Sequence, residues 1–144
     1  MLKGISPLIP PELLKILDEM GHGDELALGD GNFPGTAMAK RLVRCDGQPI
    51  PALLDAILAL YPLDTYVDAP VALMQVVPGD PVGDSPAIWA DYRAILAKHA
   101  PGVKIENVER FAFYERAKRA YAVVQTGEGA LYANIILKKG VIPS

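Results

Sequence analysis

The sequence has few of the residues that thiol, metal and nucleic-acid chemistry require. Its 144 residues include one cysteine and two histidines, and its net charge is −3. The single cysteine, Cys45, cannot form an internal disulfide, which favours a reducing, cytoplasmic environment. No cluster of lysine and arginine is present, so nucleic acid is not an expected partner. Because there is no apolar signal core and no stretch long enough to span a bilayer, a membrane is not an expected partner either.

Several motifs for cofactors and nucleophiles are also missing. His22 and His99 lack the paired spacing of metal ligands, and the loop from Asp30 matches a calcium-binding loop only at its start. No phosphate-binding loop and no serine nucleophile elbow occurs. Cys45 follows an apolar strand and is interpreted as structural rather than nucleophilic. We therefore expect no metal and no cofactor, and a chemistry limited to proton transfer and hydrogen bonding by side chains.

What the sequence does contain is an alternation of helical and extended segments. Apolar residues make up 51% of the chain, which is enough for one domain over residues 1–144 and suggests further surface buried at subunit contacts. The predicted helices cover about residues 11–20, 51–60, 86–98 and 110–119, and the predicted strands 25–28, 42–45, 71–77, 103–108, 120–125 and 132–137. The last two strands are joined by a short segment with two glycines, which predicts a hairpin. We expect an α/β fold, a three-layer α/β/α sandwich around a mixed sheet of about six strands.

One of the two histidines lies in a turn framed by glycines. The segment Gly21-His22-Gly23 follows the first predicted helix and precedes the first predicted strand. A histidine has an ordinary pKa of about 6.5, so it can give and take protons near neutrality. The alternative is a surface histidine favoured by the dipole of the preceding helix. Asp30 follows the strand, where active sites of open α/β sheets tend to lie, although it could simply cap a turn.

Three further polar residues are candidates for a site that uses no cofactor. Tyr132 and Asn134 are two positions apart on the last predicted strand, so their side chains share one face. Arg110 opens the predicted helix 110–119. A strand end that meets solvent and a solvated helix start are the plain alternatives, and none of these signals is specific alone.

Taken together, these segments resemble the RbsD/FucU sugar mutarotases, most closely their L-fucose branch. The strongest matches cover residues 2–9, 19–25, 110–117 and 134–141, and their order and spacing agree with the family. The resemblance implies the α/β/α sandwich of that family and a homo-oligomeric ring, commonly a decamer of two stacked pentamers with sites at subunit contacts. It also implies the interconversion of sugar anomers without a cofactor. Asn32 departs from the family pattern, because some members carry a histidine there.

The resemblance also assigns roles to individual residues. It implies that His22 is the catalytic acid, and that Asp30, Arg110 and the Tyr132-Ala133-Asn134 segment contact the sugar. Anomer exchange requires ring opening, in which one group removes the proton of the anomeric hydroxyl while another protonates the ring oxygen. We expect His22 to deliver a proton to the sugar and to recover it, with Tyr132 as the partner group. We expect Asp30 to orient the imidazole or to accept a hydrogen bond from a sugar hydroxyl. A D-ribose pyranase and a non-catalytic monosaccharide-binding transport accessory are the alternative functions.

Overall fold

The chain folds around one six-stranded mixed sheet. The structure is a computed structural model that describes residues 1–144. The helices are α1 (Pro11–Glu19), α2 (Gly35–Met38), α3 (Ile50–Leu58), α4 (Ala87–His99) and α5 (Arg110–Arg119). The strands are β1 (Glu25–Gly29), β2 (Leu42–Cys45), β3 (Val71–Met74), β4 (Ile105–Val108), β5 (Ala122–Thr126) and β6 (Ile135–Lys138). No helix combines the length and the apolar composition that crossing a membrane requires.

The strand order is β2-β5-β1-β6-β3-β4. Strand β5 is parallel to β1 and β2, strand β3 is parallel to β4, and β6 is antiparallel to its neighbours β1 and β3. Five strands therefore point in one direction and β6 points in the other. We call the side of the sheet where those five strands end, and where β6 begins, the C-terminal edge. The opposite side is the N-terminal edge.

The predicted hairpin between the last two strands is wrong. Strands β5 and β6 lie on either side of β1 and do not pair with each other. The segment 127–134 between them crosses over the C-terminal end of β1, where the N–H of Gly31 donates to the carbonyl oxygen of Glu128 at 2.8 Å. Because adjacent strands are about 4.8 Å apart, this segment spans about two strand spacings, which a tight turn cannot do.

Both faces of the sheet are covered, as the alternation of side chains requires. Along β1, Leu26 and Leu28 pack into the larger core with α1, α3 and α4, while Ala27 between them packs into a smaller core with α5. Strands β3, β5 and β6 alternate between the two cores in the same way. Strands that are apolar on both faces fit a sheet with helices on both sides. The three-layer sandwich expected from the sequence is confirmed.

Helix α5 is positioned by its cap and by a partly buried ion pair. The Glu109 side chain accepts hydrogen bonds from the N–H groups of Phe111 and Ala112, at 3.0 Å each, which places Arg110 at the first position of the helix. At the other end of the helix, the Arg116 guanidinium binds both oxygens of Glu25, the first residue of β1. The helix start is thereby held at the C-terminal edge of the sheet.

Candidate active site

A cavity of about 220 Å³ opens at the C-terminal edge of the sheet. Its polar lining residues are Asp30, Asn32, Asp80, Arg110, Tyr132 and Asn134. Its apolar wall is formed by Phe33, Met74, Val77 and Leu131, with Tyr114 beside them. The cavity thus brings together four of the residues that the sequence predicts to contact a sugar, and lines them up with apolar side chains in one space.

The topology explains why residues so distant in sequence meet here. Asp30 directly follows β1 and Arg110 follows β4, and these strands point the same way. Asn134 directly precedes β6, which is antiparallel to β1, so its N-terminal end lies at the same edge. Open α/β sheets place their ligands beyond the carboxyl ends of their parallel strands.

Asp30 is fixed by a buried network at the floor of the cavity. Its backbone N–H donates to the Oδ1 of Asn134 at 2.8 Å, and its carbonyl oxygen accepts from the Nε2 of Gln125 at 2.6 Å. Its own Oδ1 accepts from the N–H of Asn32 at 2.9 Å. Burial raises the pKa of Asp30, because the charged carboxylate loses hydration there. A side chain at Gly29 would meet the Phe33 ring at 2.5 Å, so glycine is needed for this tight loop.

Tyr132 has an unusual backbone conformation that turns its side chain toward the cavity. Its φ is +56°, a left-handed conformation that is uncommon for a bulky residue. Its carbonyl oxygen accepts from the indole Nε1 of Trp89 at 2.8 Å, and the next carbonyl, of Ala133, accepts from the Tyr92 hydroxyl at 2.6 Å. Such backbone strain costs about 1–3 kcal/mol and persists only where neighbouring groups hold it. Ala133 itself is fully buried and does not line the cavity.

The Tyr132 phenol is held by the loop between β3 and α4. Its hydroxyl donates to the Oδ2 of Asp80 at 2.8 Å and accepts from the N–H of Val77 at 3.3 Å. Burial, followed by the hydrogen bond to Asp80, raises the pKa of Tyr132 above its ordinary value of 10. The phenol is therefore protonated at neutral pH.

Arg110 lies at the rim of the cavity and is exposed to solvent. Its guanidinium carbon is 5.4 Å from the centre of the Phe111 ring and 6.0 Å from the centre of the Tyr114 ring. No carboxylate lies within ion-pair distance of it. Its N–H donors are free to bind hydroxyl oxygens of a ligand.

His22 lies at the N-terminal edge of the sheet, away from this cavity. Its Nε2 is 3.0 Å from the Oδ1 of Asp64, and its ring centre is 5.3 Å from that of Tyr66. The turn that presents it depends on Gly23, which has a φ of +87° and donates its N–H to the carbonyl oxygen of Lys139 at 2.8 Å. The His22 side chain is 44% exposed, whereas that of Asp64 is 3% exposed.

Asp64 determines how the imidazole is presented. Burial alone would raise its pKa, but hydrogen bonds from the Tyr66 N–H and from His22 lower it below the ordinary value. An ionised carboxylate can only accept, so Nε2 of His22 carries the hydrogen and Nδ1 is left for a ligand; this tautomer is assigned from the hydrogen-bond network. Within one chain, Asp64 rather than Asp30 orients the imidazole.

The separation of His22 from the cavity is set by β1. Five residues of strand, at about 3.3 Å per residue, lie between the turn of His22 and the loop of Asp30. The ends of β1 are thus about 13 Å apart, farther than a histidine side chain spans. Within one chain, His22 does not reach the cavity that contains Asp30, Arg110, Tyr132 and Asn134.

Comparison with known proteins places this architecture in a family. A model of the RbsD / FucU transport protein family matches residues 3–142. The chain belongs to the RbsD/FucU family. Among curated members, a protein named L-fucose mutarotase from Actinobacillus pleuropneumoniae is 55% identical, over 99% of this chain and 99% of that protein.

Two solved structures extend the comparison. The fucose mutarotase from Streptococcus pneumoniae, solved in complex with L-fucose, is 54% identical with a TM-score of 0.92, over 99% of this chain and 100% of that one. RbsD from Bacillus subtilis, solved with D-ribose, is 21% identical with a TM-score of 0.71, over 99% of this chain and 100% of that one. The second likeness concerns the RbsD/FucU fold alone.

Two acidic residues of this RbsD/FucU member escaped prediction from sequence. Asp64 and Asp80 each share their loop with one other aspartate, Asp68 and Asp84 respectively, so neither stands out from its surroundings in the sequence. Asp80 does carry a weak signal, because a Pro-Gly-Asp-Pro segment after an apolar strand forms a loop at a strand end. Only the folded chain places each carboxylate against a candidate proton-transfer group.

Proposed function

We propose that this chain is an isomerase that interconverts the α and β anomers of L-fucose, or of a closely related monosaccharide. The observation that carries the proposal is the identity of 54–55%, over almost the whole chain, to proteins named fucose mutarotase, one of them solved with L-fucose. The cavity supports it, because a carboxylate, a guanidinium, a phenol and an amide face one another there. Such groups suit the many hydroxyls of a sugar.

The lining of the cavity suits a 6-deoxy sugar in particular. L-fucose has ring hydroxyls on most of its carbons and a methyl group in place of the usual terminal hydroxymethyl. The hydroxyls match Asp30, Arg110 and Asn134, and the methyl matches the apolar wall that includes Phe33 and Met74. A polar group forced against that wall would lose its hydration without gaining a partner.

We infer that each complete site is shared by two copies of the chain. Because His22 lies about the length of β1 from its own cavity, the histidine that serves a cavity belongs to a neighbouring copy. Large apolar side chains are exposed at both places: Tyr66 (76%) beside His22, and Phe111 (67%) and Leu131 (56%) beside the cavity. Exposed apolar patches of this kind mark contact surfaces. A decameric ring and a cytoplasmic location stay predictions of the sequence.

The mechanism then needs two proton transfers and no external reactant. The protonated imidazole of His22 gives a proton to the ring oxygen as the bond from that oxygen to the anomeric carbon breaks. The anomeric hydroxyl loses its proton to the Tyr132 side of the cavity, which leaves an open-chain aldehyde. Rotation of the aldehyde and the reverse transfers close the ring on its other face. General acid–base catalysis of this kind contributes about 10²–10⁴-fold.

The test is saturation-transfer NMR with L-fucose, D-ribose and D-galactose in parallel. We expect the protein to accelerate exchange between the anomer signals of L-fucose more than that of the other two sugars. Faster exchange between pyranose and furanose signals of D-ribose would instead favour a D-ribose pyranase. Binding of L-fucose with exchange at the rate of buffer would favour a non-catalytic binding protein and would overturn the proposal.

A further inference from the structure

One segment of the chain supplies every hydrogen bond that holds Tyr132 in place. The segment runs from the end of β3 through the loop 77–86 into α4. Val77 and Asp80 hold the phenol oxygen, and Trp89 holds the backbone carbonyl of the same residue. Because a left-handed tyrosine is strained, these contacts determine where its hydroxyl lies.

The chemistry of Asp80 determines the direction of the hydrogen bond to Tyr132. The Asp80 Oδ1 accepts from the N–H of Val82 at 3.0 Å, and this bond, followed by the one from Tyr132, lowers the pKa of Asp80. At neutral pH the carboxylate is ionised and can only accept. The phenol hydrogen therefore points at Asp80. With one lone pair of the phenol oxygen facing the N–H of Val77, the other remains for a ligand in the cavity.

We propose that Asp80 is a positioning residue that makes Tyr132 a hydrogen-bond acceptor, and through it a proton acceptor, for the anomeric hydroxyl of the bound sugar. The inference rests on the function proposed above. In the opening step, the proton of the anomeric hydroxyl moves to the oxygen of Tyr132 as the phenol proton moves to the Oδ2 of Asp80. The proton from His22 reaches the ring oxygen in the same step, so charge and protons balance, and ring closure reverses each transfer.

This arrangement explains how a tyrosine can take part at neutral pH. A phenol that stays protonated is a poor base by itself, since it must first lose a proton. Because its hydroxyl donates to Asp80, Tyr132 receives one proton while it releases another, and so it never holds a full negative charge. The other titratable groups that face this cavity are Asp30, Arg110 and Tyr114. None of the three shares a hydrogen bond with the phenol oxygen.

The test compares Asp80→Asn with Asp84→Asn. Asparagine at position 80 keeps an oxygen for the N–H of Val82 but offers an N–H to Tyr132, so the phenol becomes a donor toward the sugar. Asp84 lies in the same loop, is exposed and makes no hydrogen bond through its side chain, so it is the matched control. We expect Asp80→Asn to lower kcat for L-fucose exchange by about tenfold or more, with KM changed by less than about threefold.

A double variant separates this role from a structural one. If Asp80 acts through Tyr132, then Asp80→Asn adds no further loss in a Tyr132→Phe background, and the three losses are equal. Independent, multiplying losses would overturn the inference, as would kcat of Asp80→Asn equal to that of Asp84→Asn. Tyr132→Phe alone remains informative if Asp80→Asn does not fold, because unchanged kcat there excludes the relay. Wild-type protein that fails to accelerate exchange overturns the proposed function itself, and the role of Asp80 with it.

Discussion

A site divided between two copies makes a quantitative prediction about mixed oligomers. His22→Ala removes the proposed acid. Arg110→Glu replaces the guanidinium at the rim with a carboxylate, in a cavity that already contains Asp30 and Asp80, and should block sugar binding. Both side chains are substantially exposed, so both variants should fold. Each pure variant should be inactive. In an equal mixture, half of the copies carry an intact His22 and half carry an intact cavity, so about a quarter of shared sites are complete.

A second mixture makes the result unambiguous. Wild-type chains mixed with equal amounts of the double variant His22→Ala/Arg110→Glu should also retain about a quarter of the wild-type activity, because a complete site again needs two independent choices. If each chain contained its own complete site, the first mixture would give no activity and the second about half. Both mixtures are refolded together from denaturant, and the exchange rate of L-fucose per chain is measured by saturation-transfer NMR. No activity in the first mixture would refute a shared site.

Three further variants test the residues one at a time. His22→Ala should abolish anomer exchange while the free energy of unfolding changes by about 1 kcal/mol, because the half-exposed ring adds one hydrogen bond to Asp64, which keeps the bond from the Tyr66 N–H. Loss of fold by circular dichroism would contradict this. Arg110→Ala should raise KM at least tenfold, because it removes about 1.5–3 kcal/mol of hydrogen bonding to the sugar, and it should leave the melting temperature unchanged. A lower melting temperature with unchanged KM would contradict a binding role. Burial raises the pKa of Asp30, so the folded state disfavours its ionisation and loses stability as pH rises above the ordinary value of 3.8; Asp30→Asn should remove that loss in urea titrations between pH 4 and 7, and an identical pH dependence would refute it.

Much of the fold could be predicted from sequence because local signals and burial agree. Helix α1 begins at Pro11 as predicted. The predicted strands 25–28 and 71–77 are found as β1 and β3, of which β3 ends at Met74, and both are covered on both faces. The pairing of the last two strands could not be predicted, because nothing in residues 120–137 indicates that β1 lies between them. Strand order depends on contacts between segments far apart in sequence, and only the two-residue alternation within each strand is local.

In the candidate site, too, some features could be predicted from sequence and others could not. The rule that functional residues follow strand ends indicated Asp30, the start of a predicted helix indicated Arg110, and the two-residue spacing indicated Tyr132 and Asn134. These four residues line one cavity. One of the two roles suggested for Asp30 from sequence was to orient the imidazole of His22, which precedes the same strand. In a strand, however, nearness in sequence means separation in space, because each residue adds about 3.3 Å. Strand β1 therefore places His22 at the N-terminal edge of the sheet and Asp30 at the C-terminal edge.

The environments of the acidic residues then divide the chemistry among them. Asp64 has a lowered pKa and stays ionised beside His22, so it offers a counter-charge whenever the imidazole carries a second proton. Asp30 has a raised pKa and faces the hydroxyl-binding cavity, where a carboxyl of either charge state can bond to a sugar hydroxyl. Carboxylates with pKa values shifted in opposite directions mark separate roles. Since β1 holds these two carboxylates at opposite edges of the sheet, the shared site that we propose requires contact between copies, and it predicts that assembly is a condition of catalysis.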